Sequence, residues 1–287
     1  MRHFLAFLTA AVLPNLAQAG LTSNIEYGRA DGVHLLLDAC TPEGPGPFAG
    51  VILVHGGGWI DGDKTVQCRP LFEPLTAAGL AWFSVNYRLA PKYRYPACIE
   101  DVDTSVRWIK AHAAEFNVDP KRLALLGESA GGHIVEMVTV RATPGTRMAA
   151  VVAFYAPCDL VADTRRRGGL SRSMKALFGL TKFDAAAEDV LRNASPINFL
   201  TTGDLPPFLL VHGTADTSVP YVQSLQWQAR LRVLSVPCDL ITVEGAPHSM
   251  LRWEKIDTSY KDKTVVWLKR VLAAPKESKT IAGAKGK

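Results

Sequence analysis

One stretch of the chain is built for chemistry rather than for packing. Gly127-Glu128-Ser129-Ala130-Gly131 follows the apolar run Leu123 to Leu126 and precedes a segment with helical spacing. A glycine-flanked serine continues neither a strand nor a helix well. It suits a sharp strand-to-helix turn, where the serine takes a strained backbone position and lifts its hydroxyl into the open. The glycines on either side let neighbouring elements approach without a clash. G-x-S-x-G alone is a common pattern; the strand before it, the helix after it and the additional Gly132 make it specific.

A serine hydroxyl is a poor nucleophile at neutral pH and needs a base to take its proton. Of seven histidines, His248 is the candidate, because "VEGAPHSM" follows the last predicted strand in a Gly/Pro loop free to reach back to the serine. His133 lies four residues after Ser129 on the same helix, but the serine side chain turns out of that helix, so His133 is expected to pack or brace a loop. His55 and His212 stand at strand ends, again as braces. The third member must orient the imidazole and stabilise its charged form. Asp216, in "LLVHGTADTSVP", follows the penultimate strand on the edge where the serine turn emerges. Asp204 and Asp239 lie at the opposite ends of their strands.

A carbonyl under attack also needs donors for the oxygen that becomes negative, a contribution worth ~3–4 kcal/mol for a single donor. "HGGGW", residues 55–59, offers backbone amides unobstructed by side chains. Gly57, Gly58 and Ala130 are the expected donors. The same loop resembles a phosphate loop in its Gly57 and Gly62 spacing, but Asp63 stands where that motif requires lysine, and an acid there repels phosphate.

The elements that must hold these groups alternate. Strands are predicted at 33–40, 51–54, within 79–89, at 121–127, 149–157, 207–213 and 237–245. Helices are predicted at 69–79, 96–116, from Ser129 onward, at 221–234 and at 257–272. Strands at these intervals, nearly continuous in apolar residues and interleaved with helices, imply one α/β domain with a mostly parallel sheet covered on both faces. Residues 159–205 break the rhythm and are too long for a plain connection. One or two short helices are expected there, and the part about 160–195 is a candidate lid. Its Leu170, Met174, Leu177, Phe178 and Leu180 would either cover an apolar site or seal the insertion onto the core. Arg165-Arg166-Arg167 reads as a solvated run.

Composition agrees: 287 residues, 48% hydrophobic and 21% charged, suffice for one large core. The net charge of +5 is concentrated at the ends, since residues 274–287 carry four Lys against one Glu and Arg2 lies near the start. The body is therefore close to neutral, which argues against a nucleic-acid groove, and 274–287 reads as a disordered basic tail. Residues 1–19 have a basic start, an apolar stretch and Ala17-Gln18-Ala19, the pattern of a signal peptide cleaved between Ala19 and Gly20. The stretch is too short to span a bilayer, which takes ~20 residues. A secreted or periplasmic protein is expected, without stable membrane insertion. Five cysteines, an odd number with no C-x-x-C spacing, leave at least one thiol unpaired in a monomer.

The chain resembles α/β-hydrolases of the esterase/lipase group, most of all the bifunctional feruloyl/acetyl-xylan esterase type. The likeness runs through "HGGGW", "VNYRLAP", "YPACIEDV", "NVDPKRLALLGESAGGH", "ASPINFL", "PPFLLVHGTADTSVP" and "EGAPHSM" in that order. It covers nearly all of 20–273 and departs at Pro247, where the family commonly has glycine. The order Ser129, Asp216, His248 is that of α/β-hydrolases. The resemblance implies an α/β-hydrolase fold and a carboxylic ester hydrolase acting on short acyl or carbohydrate-linked acetyl or feruloyl esters. It implies no cofactor and no metal, and its partner is a small-molecule or polysaccharide ester. Two other readings remain: a prolyl-oligopeptidase-like peptidase or amidase, which usually has a further N-terminal domain, and a non-catalytic binding protein, which usually lacks a triad member.

Overall fold

The computed structural model describes residues 20–274. The proposed leader, and all of the basic tail except Ala274, lie outside the described residues. The eight strands are β1 (Gly20–Ala30), β2 (Val33–Thr41), β3 (Phe48–Val54), β4 (Ala81–Val85), β5 (Val118–Glu128), β6 (Ala150–Phe154), β7 (Phe208–Gly213) and β8 (Cys238–Val243). They form one sheet in the order β1-β2-β4-β3-β5-β6-β7-β8. The pairs β1/β2 and β2/β4 are antiparallel and every other pair is parallel. The helices are α1 (Phe72–Ala77), α2 (Ala97–Ala111), α3 (Ala130–Val140), α4 (Leu160–Arg167), α5 (Arg172–Phe178), α6 (Ala185–Asn193), α7 (Val222–Val233) and α8 (Ser259–Val271).

Why the central strands read as unbroken apolar runs is clear from the two cores. Side chains alternate faces along a strand. In β3, Ile52 and Val54 enter the core shared with α2, α3 and α7, whereas Val51 and Leu53 enter the one shared with α1 and α8. In β5, Leu123 and Leu125 take the first side, and Ala124 and Leu126 the second. A strand buried on both faces has no polar position to spare, and each fully buried aliphatic side chain contributes about 1.5–3 kcal/mol.

Two expectations are corrected. β1 was not foreseen: its sequence GLTSNIEYGRA is largely exposed, only Tyr27 is fully buried, and bulges between Thr22 and Ile25 and between Glu26 and Gly28 break the alternation. The insertion holds three helices, α4, α5 and α6, rather than one or two. Each starts at a side chain that accepts a bond from the amide three residues on: Asp159 from Ala162 at 2.9 Å, Ser171 from Met174 at 3.1 Å and Asp184 from Ala187 at 3.0 Å. Such caps are worth about 1 kcal/mol apiece and permit helices this short.

The "VNYRLAP" stretch also has a structural role. Arg88 is buried after β4, and its Nε and Nη2 donate to the Asp101 carboxylate of α2 at 2.8–3.0 Å. The Arg88 amide donates to Asp101 Oδ2 at 2.8 Å. This pair ties the sheet to α2. All five cysteines are free thiols.

Candidate active site

Ser129 sits between β5 and α3 with φ 54° and ψ −118°, outside the regions where a side chain is comfortable. The strain is held by packing. The Ser129 amide donates to Phe154 O of β6 at 2.9 Å, and a Cβ on Gly131 would lie 2.1 Å from Val54 O. Only glycine lets α3 pack so closely on β3.

The Ser129 hydroxyl donates to His248 Nε2 at 2.8 Å, and His248 Nδ1 donates to Asp216 Oδ2 at 2.6 Å. Three loops at one end of the parallel sheet thus bring together the three residues singled out in the sequence. The Asp216 side chain is fully buried while that of His248 is 22% exposed, so the carboxylate is enclosed and the imidazole borders the opening. Burial works against the ionised form of Asp216. Even so, hydrogen bonds from His212 and His248, with the Val219 amide, hold its carboxyl well below the usual carboxylate range. An ionised Asp216 fixes the proton of His248 on Nδ1 and leaves Nε2 to take one from serine.

Three other histidines, His133, His55 and His212, serve as braces. His133 is buried, its Nε2 donates to Ala194 O at 2.7 Å, and burial pushes the imidazole down to about 4. His55 is pushed down to about 4 for the same reason. It stacks on Tyr87 at 4.3 Å, and its Nδ1 donates to Gly56 O at 2.8 Å. His212 Nε2 donates to Val219 O at 2.9 Å and lies 3.4 Å from Asp216 Oδ2, steadying the acid's loop. Asp204 and Asp239 are remote from the site, paired at the surface with Arg147 and Arg270.

A cavity of about 460 Å³ opens over the serine, bordered by Gly57, Gly58, Ala130 and His248. Gly57 has φ +98°, and a Cβ there would lie 2.0 Å from Asp61 O, so the loop's course requires glycine. The amides of Gly57 and Gly58 bond no protein acceptor among the described residues.

The insertion reaches this cavity through Asp163, Arg167, Ser171, Ser173 and Met174. Met174 is 2% exposed and belongs to both the cavity wall and the core. Leu177 and Phe178 do not border the cavity: Leu177 is buried in the core and Phe178 packs against Tyr95 at 5.4 Å. The apolar stripe therefore divides between the two roles. The arginine run is not simply solvated, because Arg166 and Arg167 clamp the buried Asp163 at 2.8 and 2.7 Å while Arg165 pairs with Glu188 at 2.7 Å. Sequence reasoning passed over Glu128, Tyr155 and Ser218, all close to the site. Glu128 was in view as the variable residue of G-x-S-x-G, but nothing in its spacing told where its carboxyl points.

A family model described as BD-FAE matches residues 37–231. Among curated proteins, Esterase LipC of Mycobacterium tuberculosis is 32% identical over 206 residues, covering 68% of this chain and 50% of LipC. The probable carboxylic ester hydrolase LipM of the same organism is 32% identical over 236 residues, covering 76% of this chain and 53% of LipM. The chain spans about half the length of the curated relatives it matches. Among solved structures, esterase 2 of Thermogutta terrifontis has a TM-score of 0.72 at 25% identity, with 90% of this chain and 95% of that one covered. A truncated carbohydrate esterase from gut microbiota has a TM-score of 0.77 at 24% identity, covering 90% of this chain and 98% of that one. At that identity the second likeness carries the fold alone, which is that of the α/β-hydrolases.

Proposed function

The chain belongs to the BD-FAE esterase family, and on that premise we propose that it hydrolyses short acyl esters, carbohydrate-linked ones included, through Ser129, His248 and Asp216. The observation that carries this reading is the continuous relay from the Ser129 hydroxyl to His248 at 2.8 Å and on to Asp216 at 2.6 Å. Ser129 Oγ attacks the acyl carbonyl carbon while His248 Nε2 takes its proton. The carbonyl oxygen becomes negative and is met by the Gly57, Gly58 and Ala130 amides. As the C–O bond to the alcohol breaks, the imidazolium returns its proton to the departing oxygen and the acyl group stays on Ser129. Water, deprotonated by the same nitrogen, attacks the acyl-enzyme and releases the acid and the free serine. Asp216 keeps its negative charge throughout and stabilises the imidazolium.

Room for more than a small alcohol supports a carbohydrate ester. The cavity over Ser129 shares Arg167 and Ser171 with an adjoining open groove of about 690 Å³, bordered also by Lys175 and Phe183. The gut carbohydrate esterase and the acetyl ester-xyloside bifunctional hydrolase of Caldicellulosiruptor lactoaceticus have the same fold, the latter at a TM-score of 0.75 and 23% identity. We further propose that 1–19 is an export leader and 20–273 the catalytic domain. N-terminal sequencing of protein recovered outside the cytoplasm tests the cleavage after Ala19.

The deciding experiment is a substrate panel: acetyl, butyryl, octanoyl and feruloyl esters, acetylated xylan and an aminoacyl amide. The reading expects turnover of acetyl and butyryl esters and of acetylxylan, with the amide slower by orders of magnitude. Preferred cleavage of the amide would assign the site to peptidase chemistry, and no turnover of any member would leave a binding protein.

A further inference from the structure

Ser129's neighbour Glu128 is 3% exposed and is among the residues that border the cavity over the serine. Its Oε1 accepts the Gly56 amide at 2.6 Å, linking residues 72 positions apart. The approach is so close that a Cβ on Gly56 would lie 2.1 Å from Oε1. On the far side of Gly56, the carbonyl accepts His55 Nδ1 at 2.8 Å and the Tyr87 hydroxyl at 3.2 Å. A trans peptide holds its C=O and N–H in opposite directions. Fixing the Gly56 carbonyl inward therefore turns the amide of Gly57 outward, to the cavity that Gly57 borders. The carboxyl also faces the hydroxyl of Tyr155, which accepts the Met250 amide at 2.9 Å. The Tyr155 ring meets that of His248 edge-on at 4.8 Å.

One side chain thus touches the loop that offers the oxyanion donors and, through Tyr155, the loop that carries the base. We propose that Glu128 is a positioning residue: its carboxyl fixes the Gly57 and Gly58 amides against the Ser129 turn, so that the oxyanion donors stand ready before the substrate arrives. The inference rests on the esterase reading above. Donors aimed in advance are worth more than donors that must reorganise, because in the transition state no free energy is lost in turning them. Burial pushes the Glu128 carboxyl up, even against its hydrogen bonds from Tyr155 and the Gly56 amide. Glutamine, neutral and of the same length, can still accept the Gly56 amide.

The test compares Glu128→Gln and Glu128→Ala with the wild type, measuring kcat and KM on 4-nitrophenyl acetate and the Ki of an alkyl trifluoromethyl ketone. The ketone adds to serine as a tetrahedral oxyanion and reads the donors directly. Glu128→Gln should keep kcat within about threefold. Glu128→Ala should lower kcat on the order of 10²-fold, as loss of an oxyanion donor does. Its KM should stay within about threefold, and the Ki should weaken by a factor close to the fall in kcat. If Glu128→Ala does not fold, Glu128→Asp carries the test, since it keeps the carboxyl but withdraws it by one methylene. A kcat and Ki near wild type in Glu128→Ala or Glu128→Asp would overturn the proposal, as would an equal loss in Glu128→Gln. So would a lowered kcat with an unchanged ketone Ki. All three would leave the role of Ser129 standing, whereas an active Ser129→Ala control would remove the esterase reading itself.

Discussion

His248 Nδ1 donates to Asp216 Oδ2 at 2.6 Å, while Oδ1 of the same carboxylate takes the amides of Ser218 and Val219 at 2.8 and 2.9 Å. Each oxygen has its own task. One orients the imidazole, and the other anchors the acid to its turn and leaves it little freedom to swing away. Asp216→Asn keeps the size but offers an amide that favours the wrong tautomer of His248. It should lower kcat on 4-nitrophenyl acetate by up to about 10⁴-fold, by analogy with serine proteases. Asp204→Asn, at an exposed residue paired only with Arg147, should stay within twofold. The opposite ranking would move the acid elsewhere.

Met174 and Phe178 lie on one short helix and should behave differently. Met174 walls the cavity, so Met174→Ala enlarges the space over Ser129 and should raise kcat/KM for octanoyl relative to acetyl ester several-fold. Phe178 packs on Tyr95 away from the cavity. Phe178→Ala should lower Tm and leave that ratio within twofold. Equal shifts in the ratio from both variants would mean that the whole helix moves over the site.

The candidate site was legible in the sequence because each of its three residues follows a strand end, and strand ends were marked by Gly, Pro and apolar runs. Ser129, Asp216 and His248 follow β5, β7 and β8 in turn, and a parallel sheet brings such ends to one edge. What escaped reading has physical causes. β1 is largely exposed, buries only Tyr27 fully and is bulged twice, so it has no period to detect. The tether from Glu128 to Gly56 joins distant positions by a single hydrogen bond, which leaves no local pattern. The helical spacing in 170–180 showed an apolar face but not the partners of each residue on it. Met174 was found at the cavity and Leu177 in the core.

Glu136 makes stability depend on pH. It lies on α3, 1% exposed, with Oε2 unpartnered, and burial pushes its carboxyl well above the ordinary value. Above the unfolded-state value the unfolded chain releases this proton while the folded chain keeps it, so rising pH favours unfolding. The stability given up grows until the pH passes the folded-state value. Glu136→Gln cannot ionise and should match the wild type at pH 4. At pH 8 it should exceed it by about 1–3 kcal/mol, several degrees in Tm. Thermal unfolding of both proteins at the two pH values reads this difference, and a gain independent of pH would place its origin in packing instead.

The central claim is that Ser129 is the attacking group, and the most direct measurement is hydrolysis of 4-nitrophenyl acetate by Ser129→Ala, with circular dichroism and Tm as controls on the fold. Members of such a triad act as a unit, so removing the nucleophile should lower kcat on the order of 10⁶-fold, leaving only the contribution of the oxyanion donors and binding. The fold signals should be unchanged, because the serine hydroxyl bonds only His248 among the described side chains. A folded Ser129→Ala that hydrolyses the ester at close to the wild-type rate would contradict the account.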